Sequence, residues 1–197
     1  MFITFEGHDG SGKSTQAARL VDWLRGRGHE VLATREPGGT QLGDAIRDLV
    51  LHGVEMTAWA EAALFASARA EHVERAIRPA LERGAWVVCD RYVDSSIVYQ
   101  GIARGLGVEP VLELNRVVTG GLMPDRTFVL LLDADAARSR QGRELDRIER
   151  EDEGFRGAVA AAYRRLETLF PERIVALDGS AAPAEIAEQV RVQVRAR

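Results

Sequence analysis

Lysine is nearly missing from this 197-residue chain: of 26 basic side chains only Lys13 is a lysine, and all the others are arginine. A composition pushed that far toward arginine leaves one exception that needs a chemical reason. Cysteine is as scarce. The lone Cys89 excludes an intramolecular disulfide and a multi-cysteine zinc cage, and it suits a reducing, cytoplasmic setting. No apolar run reaches the length of a helical membrane span. The first residues, Met1-Phe2-Ile3-Thr4-Phe5-Glu6, carry neither the basic nor the long apolar region of a secretory signal. Positive charge is not in excess either: 30 acidic side chains give a net charge of −4, which argues against a dedicated nucleic-acid binder. Glycine and proline are ordinary in number and 46% of residues are hydrophobic, so collagen-like and disordered readings drop out.

What is present reads as one α/β domain. Short, β-branched apolar runs at 2–5, 30–33, 86–89, 127–132 and 174–177 alternate with helical stripes. Near-continuous apolar strands suit a parallel sheet covered on both faces. Ala17, Leu20, Val21 and Leu24 form one helical stripe closed by Gly26 and Gly28. Val73, Ala76, Ile77, Ala80 and Leu81 form another, closed by Gly84. Phe155, Val159, Tyr163, Leu166 and Phe170 predict a long late helix stopping before Pro171, and Ile186, Val190 and Val194 mark the last. Between Arg138 and Glu153 the apolar rhythm gives way to mixed charge, as in a solvated, mobile lid.

Directly after the first strand stands Gly7-His8-Asp9-Gly10-Ser11-Gly12-Lys13-Ser14, followed by Thr15, a full G-x-x-x-x-G-K-[ST] match that opens the first helix. Its glycines let successive backbone N–H groups turn toward phosphate oxygens, and the helix N-terminus adds its positive end. Lys13 is then the compact point charge for the β- and γ-phosphates, a task for which a planar guanidinium is poorly shaped. The lone lysine has its reason. Ser14 is placed to ligate Mg²⁺ on the ATP phosphates. The one asparagine, Asn115, is followed by Arg116, so the guanine-reading N-K-x-D motif is absent. A conventional GTPase switch is disfavoured, and a small kinase remains.

The third strand ends Cys89-Asp90-Arg91-Tyr92. At the carboxyl edge of an open α/β sheet, where ligands bind, Asp90 can hold Mg²⁺ or its waters and Arg91 can grip a phosphoryl oxygen bidentately. Elsewhere such a pair would be a surface ion pair. Taken with Arg35-Glu36-Pro37-Gly38-Gly39-Thr40, Asp90-Arg91-Tyr92-Val93-Asp94-Ser95-Ser96 running into Tyr99-Gln100-Gly101, Pro124-Asp125, and Asp146-Arg147-Ile148-Glu149, the chain resembles bacterial thymidylate kinases over essentially its whole length.

The resemblance implies a P-loop kinase fold with strand order 2-3-1-4-5, a homodimer through helices near residues 40 to 80, and transfer of the ATP γ-phosphoryl to dTMP. It implies that Asp9 faces the sugar 3′-hydroxyl and that Arg47, Arg91 and Arg35 surround the acceptor phosphate. Phe65 would stack on thymine, Arg69 donate to its O4, Ser96 meet the N3 edge, and Tyr99 crowd the sugar C2′, with Gln100 nearby. Glu36-Pro37 would be a cis peptide at the acceptor loop, and Asp178-Gly179-Ser180 would border adenine. Val98 stands where alanine is usual, and His8, an uncommon P-loop residue, is expected to point outward. The other readings left open are a kinase for a different small acceptor and an idle nucleotide sensor.

Gly10 occupies the P-loop position where some thymidylate kinases carry the transition-state arginine, so the resemblance assigns that charge to the lid. Lid-type members place Arg then Gly before the Asp of Asp-Arg-Ile-Glu, whereas Gly142 precedes Arg143 here. That swap turns a side chain by about 100° on a helix. Arg143 is favoured for the role, with Arg140 as the alternative and Arg147 as a supporting catalytic contact.

Overall fold

The computed structural model describes residues 1–133, 136 and 145–195. Five parallel strands, β1 (Phe2–Gly7), β2 (Val31–Arg35), β3 (Trp86–Asp90), β4 (Arg126–Leu131) and β5 (Ile174–Asp178), form one sheet in the order 2-3-1-4-5, the order the resemblance implies. The helices are α1 (Lys13–Arg25), α2 (Gln41–His52), α3 (Ala58–His72), α4 (Arg78–Glu82), α5 (Val93–Ser96), α6 (Val108–Thr119), α7 (Glu153–Leu169) and α8 (Pro183–Arg195).

Side chains alternate across the sheet, so each strand feeds two cores. Ile3, Phe5, Val88, Phe128 and Leu130 meet Leu20, Val21 and Leu24 of α1 and Ile186, Val190 and Val194 of α8 on one face. On the other face Phe2, Val87, Cys89 and Val129 meet Ile77, Leu112 of α6, and Val159, Tyr163 and Leu166 of α7. The stripes read from sequence are these buried faces.

Two features depart from the sequence reading. The stripe from Val73 is no separate helix, because α3 runs through a π-helical turn, Val73–Ile77, into α4. Pro79 follows that turn and has no N–H to return to regular spacing. A second π-helical segment, Ile97–Ala103, continues α5. The lid span expected at 138–153 is partly docked: the Arg147 amide donates to the Leu51 carbonyl at 2.9 Å, and Ile148 is buried against Ile46, Val50, Leu51 and Ala68. Residues 137–144, with Arg138, Arg140 and Arg143, lie outside the described residues.

Candidate active site

The loop after β1 is shaped by its glycines. Gly7, Gly10 and Gly12 all take positive φ, and a Cβ on Gly7 would sit 2.5 Å from the Leu130 carbonyl oxygen, so a side chain at Gly7 would collide with β4. Lys13 is 5% exposed; its Nζ donates to the His8 carbonyl at 2.7 Å and lies 3.5 Å from Asp9. Burial first, then the Arg91 charge, pulls its pKa below the ordinary lysine value.

Across the sheet edge Ser14 Oγ donates to Asp90 Oδ2 at 2.5 Å. A hydroxyl and a carboxylate side by side are all-oxygen donors, which suits a hard cation that keeps waters and phosphate oxygens in its shell. No three of the His, Cys, Asp and Glu side chains group as a metal cage among the described residues.

A cavity of about 510 Å³ opens beside the loop, lined by His8, Asp9, Glu36, Pro37, Arg47, Phe65, Arg91, Ser95, Ser96, Tyr99, Gln100 and, from the far side, Asp146, Phe155 and Arg156. The Glu36-Pro37 peptide is cis, and Arg47 Nη1 donates to the Pro37 carbonyl at 2.9 Å. Arg91 lines the cavity at its P-loop end, beside His8 and Asp9. Its Nη2 meets Asp9 Oδ1 at 3.0 Å, and its Nη1 donates to Ser95 Oγ at 3.1 Å and to Tyr163 OH at 2.9 Å. Arg91 has φ +70°, a left-handed backbone that is uncommon for a residue with a side chain.

Several residues sit differently from the sequence reading. Arg69 is 2% exposed and stands behind the wall: Nε donates to Glu36 Oε2 at 2.6 Å, Nη1 to Ser96 Oγ at 3.0 Å and to Asn115 Oδ1, and Nη2 to the Tyr92 carbonyl at 3.1 Å. Four of its five N–H groups are spent. Arg147, expected as a catalytic contact, turns away. Its Nε donates to the Val50 carbonyl at 2.9 Å and its Nη2 to Glu61 Oε2 at 2.7 Å, so it staples its segment to the ends of α2 and α3. Arg35 does not line the cavity. Gln100 reaches the wall but gives its amide to Glu61 at 2.8 Å. His8 points inward, its ring edge-on to Tyr163 at 5.5 Å, and burial, reinforced by Arg91 and Lys13, holds its pKa down to about 4. Tyr99 is buried enough that its hydroxyl is pushed up to about 12.

Sequence reasoning missed the groups behind the wall. Glu6 is wholly buried at the end of β1 and accepts from the Tyr92 and Ser95 amides and the Ser95 hydroxyl. Glu61 anchors Gln100, Arg104 and Arg147, and Asp94 is bridged by both terminal nitrogens of Arg173, at 2.6 and 2.7 Å. A charged residue closing an apolar strand was the available signal for Glu6. Asp94 and Glu61 gave none, because their partners are distant in sequence.

Known proteins resemble this chain along its length. A profile of the thymidylate kinase family matches residues 5–190. The thymidylate kinase of Synechococcus sp. strain JA-3-3Ab is 45% identical over 100% of this chain and 96% of its own length, and that of Rhizorhabdus wittichii is 48% identical over 94% and 92%. The crystal structure of thymidylate kinase from Ehrlichia chaffeensis superposes with a TM-score of 0.78 at 30% identity, covering 98% of this chain and 97% of that one. With a P-loop on β1, an Asp-Arg pair closing the neighbouring strand, and a cavity between them, the chain belongs to the thymidylate kinase family.

Proposed function

We propose that this protein transfers the γ-phosphoryl group of ATP to dTMP, giving dTDP. The observation that carries the reading is the placement of Arg91 and Asp9, in contact at 3.0 Å, where the P-loop meets a cavity walled by Phe65, Ser96 and Tyr99. One end of that cavity suits phosphate; the other suits a flat base on a sugar.

The reaction is in-line attack by a dTMP phosphate oxygen on the γ-phosphorus, with ADP leaving. The acceptor dianion is already a nucleophile, so positioning and charge neutralisation do the work and no general base is needed. P-loop amides from Gly7 to Thr15 cradle the donor phosphates and Lys13 neutralises charge on the transferring group. Bound Mg²⁺ would be held by Ser14 and Asp90, and would supply further charge neutralisation at the phosphates. Arg91 and Arg47 grip the acceptor phosphate. Phe65 stacks on thymine, Ser96 meets its N3 edge, and Tyr99 disfavours a ribose 2′-hydroxyl. The thymine O4 contact that the resemblance implies for Arg69 is replaced by an indirect one: from behind the wall Arg69 fixes Ser96, while Gln100 keeps Glu61 in place. The lid, with Arg143 as the arginine at the transition state, closes over a single kinase domain.

Exposed Leu42, Leu49 and Trp59 on α2 and α3 support a homodimer through those helices. Among the described residues no helix is long and apolar enough to cross a membrane, in keeping with a cytoplasmic nucleotide kinase. A coupled ADP-release assay across dTMP, dUMP, dCMP, dGMP and thymidine tests the assignment. Turnover with dTMP well above the others is expected. A preference for another acceptor overturns the base assignment, and no turnover with any overturns the activity.

A further inference from the structure

Four donors converge on the two carboxylate oxygens of Glu6. Oε1 accepts from the Tyr92 amide at 2.8 Å and the Ser95 amide at 3.1 Å; Oε2 accepts from Ser95 Oγ at 2.6 Å and from Tyr163 OH at 3.4 Å. An acceptor-only group matches that set. Each hydroxyl, having given its hydrogen toward Glu6, presents a lone pair to the same Arg91 nitrogen, Nη1, at 3.1 and 2.9 Å. The amide that Glu6 holds at 2.8 Å belongs to the residue after Arg91, whose backbone is left-handed at φ +70°. Backbone and side chain of Arg91 are therefore both fixed from one buried carboxylate.

We infer that Glu6 is the positioning residue for the acceptor-phosphate arginine, setting the direction of Arg91 through the hydroxyls of Ser95 and Tyr163. The inference rests on the reading of Arg91 given above and deepens it. Glu6 does not touch the cavity; its effect passes through a relay whose hydrogen-bond polarity depends on an acceptor at Oε2. A glutamine would present an N–H where Ser95 and Tyr163 now find an acceptor, so their hydroxyl hydrogens lose the partner that keeps them turned away from Arg91. Charged and titratable groups around Glu6 come from every side: Asp94 of α5, Arg91, Cys89 of β3, Lys13 of α1, Tyr163 of α7, Tyr99, and Arg173 before β5. Burial first, then Asp94, raises the Glu6 carboxyl to about 7, so the relay is complete only above neutrality.

The test compares Glu6→Gln, Glu6→Asp and Arg91→Ala in steady-state kinetics with both substrates, alongside thermal midpoints. For Glu6→Gln we expect the KM for dTMP to rise at least about tenfold, the KM for ATP to stay within about twofold, and the midpoint at pH 8 to fall by no more than about 3 °C. The step near pH 7 in kcat/KM for dTMP should vanish, leaving that of the substrate phosphate near pH 6, and Glu6→Asp should recover part of the loss. If Arg91→Ala leaves the KM for dTMP unchanged, the reading of Arg91 fails. If Arg91→Ala raises it while Glu6→Gln does not, the relay is overturned, as it is if Glu6→Gln harms both substrates equally and lowers the midpoint. Should Glu6→Gln not fold, Ser95→Ala removes the hydroxyl and keeps the carboxylate; it must reproduce the dTMP-selective rise, and its failure to do so overturns the proposal.

Discussion

Two buried carboxylates serve the two ends of the cavity, Glu36 from within its wall and Glu6 from behind it, and their partners differ in kind. In the wall of the base end, Glu36 lies between two nitrogen-bearing side chains, Arg69 Nε at 2.6 Å and His72 Nδ1 at 3.0 Å. Behind the phosphate end, Glu6 is met by two amides and two hydroxyls, with no direct ion pair among the described residues. The first arrangement consumes its arginine: Arg69 is locked against the wall it supports. The second holds Arg91 by way of neutral hydroxyls, so the guanidinium charge stays available to an anion at the rim, where its ion pair among the described residues is with Asp9 at 3.0 Å. A buried carboxylate that pairs directly builds a wall, and one that acts through hydroxyls aims a charge.

The sharpest break of that comparison concerns arginines not held by either carboxylate. Arg143 stands outside the described residues and Arg147 is stapled to Glu61 and the Val50 carbonyl. Arg143→Ala is expected to lower kcat by roughly 10³-fold, in the range of a lost arginine finger, with little change in either KM. Arg147→Ala should lower kcat less than about tenfold, its main effect being a looser 145–152 turn. If Arg140→Ala, and not Arg143→Ala, gives the large loss, the lid register is shifted; if neither does, no lid arginine supplies the charge.

Stability separates the two carboxylates next. Glu36→Gln leaves Arg69 buried beside a neutral amide, a break that costs about 3–5 kcal/mol for a buried pair and lowers the thermal midpoint by about 10 °C for a chain of this size. Glu6 behaves in the opposite sense. Its folded pKa of about 7 lies above the ordinary 4.5, so the folded chain holds that proton more tightly, and the contribution to stability is full below pH 4.5 and gone above pH 7. The amount is roughly 3 kcal/mol. Glu6→Gln should therefore compare best with the wild type at pH 8 and worst at pH 5. Parallel midpoints across that range would show that Glu6 does not titrate there.

Much of this was legible in the chain because backbone carries it. The P-loop is a pattern of glycines and a helix start, and the five strands are apolar runs whose order follows from the fold the motifs imply. The base end was legible only in part: Phe65, Ser96 and Tyr99 line the cavity, but whether Arg69 faces the cavity or its wall depends on Glu36 and Asn115, 33 and 46 residues away. Arg147 shows the same limit, since an arginine-rich run displays charge and not direction. Tyr163 reads as one more apolar member of a helical stripe, although its hydroxyl is a contact of Arg91. The π-helical turns left no periodic signal.

The smallest effect tests where the phosphate end stops. His8 lines the cavity within the P-loop, yet its ring packs edge-on against Tyr163 and is neutral above about pH 4. At assay pH it adds no charge beside Arg91 and Lys13. What the loop offers to phosphate at this position is backbone, which a substitution preserves. His8→Leu keeps an apolar body against the Tyr163 ring, so kcat/KM for dTMP should change less than about threefold, or roughly 0.6 kcal/mol. The pH profile between 6 and 9 should keep its shape. A tenfold loss, or a changed profile, would place the imidazole in the working part of the site and extend the relay behind Arg91 by one residue.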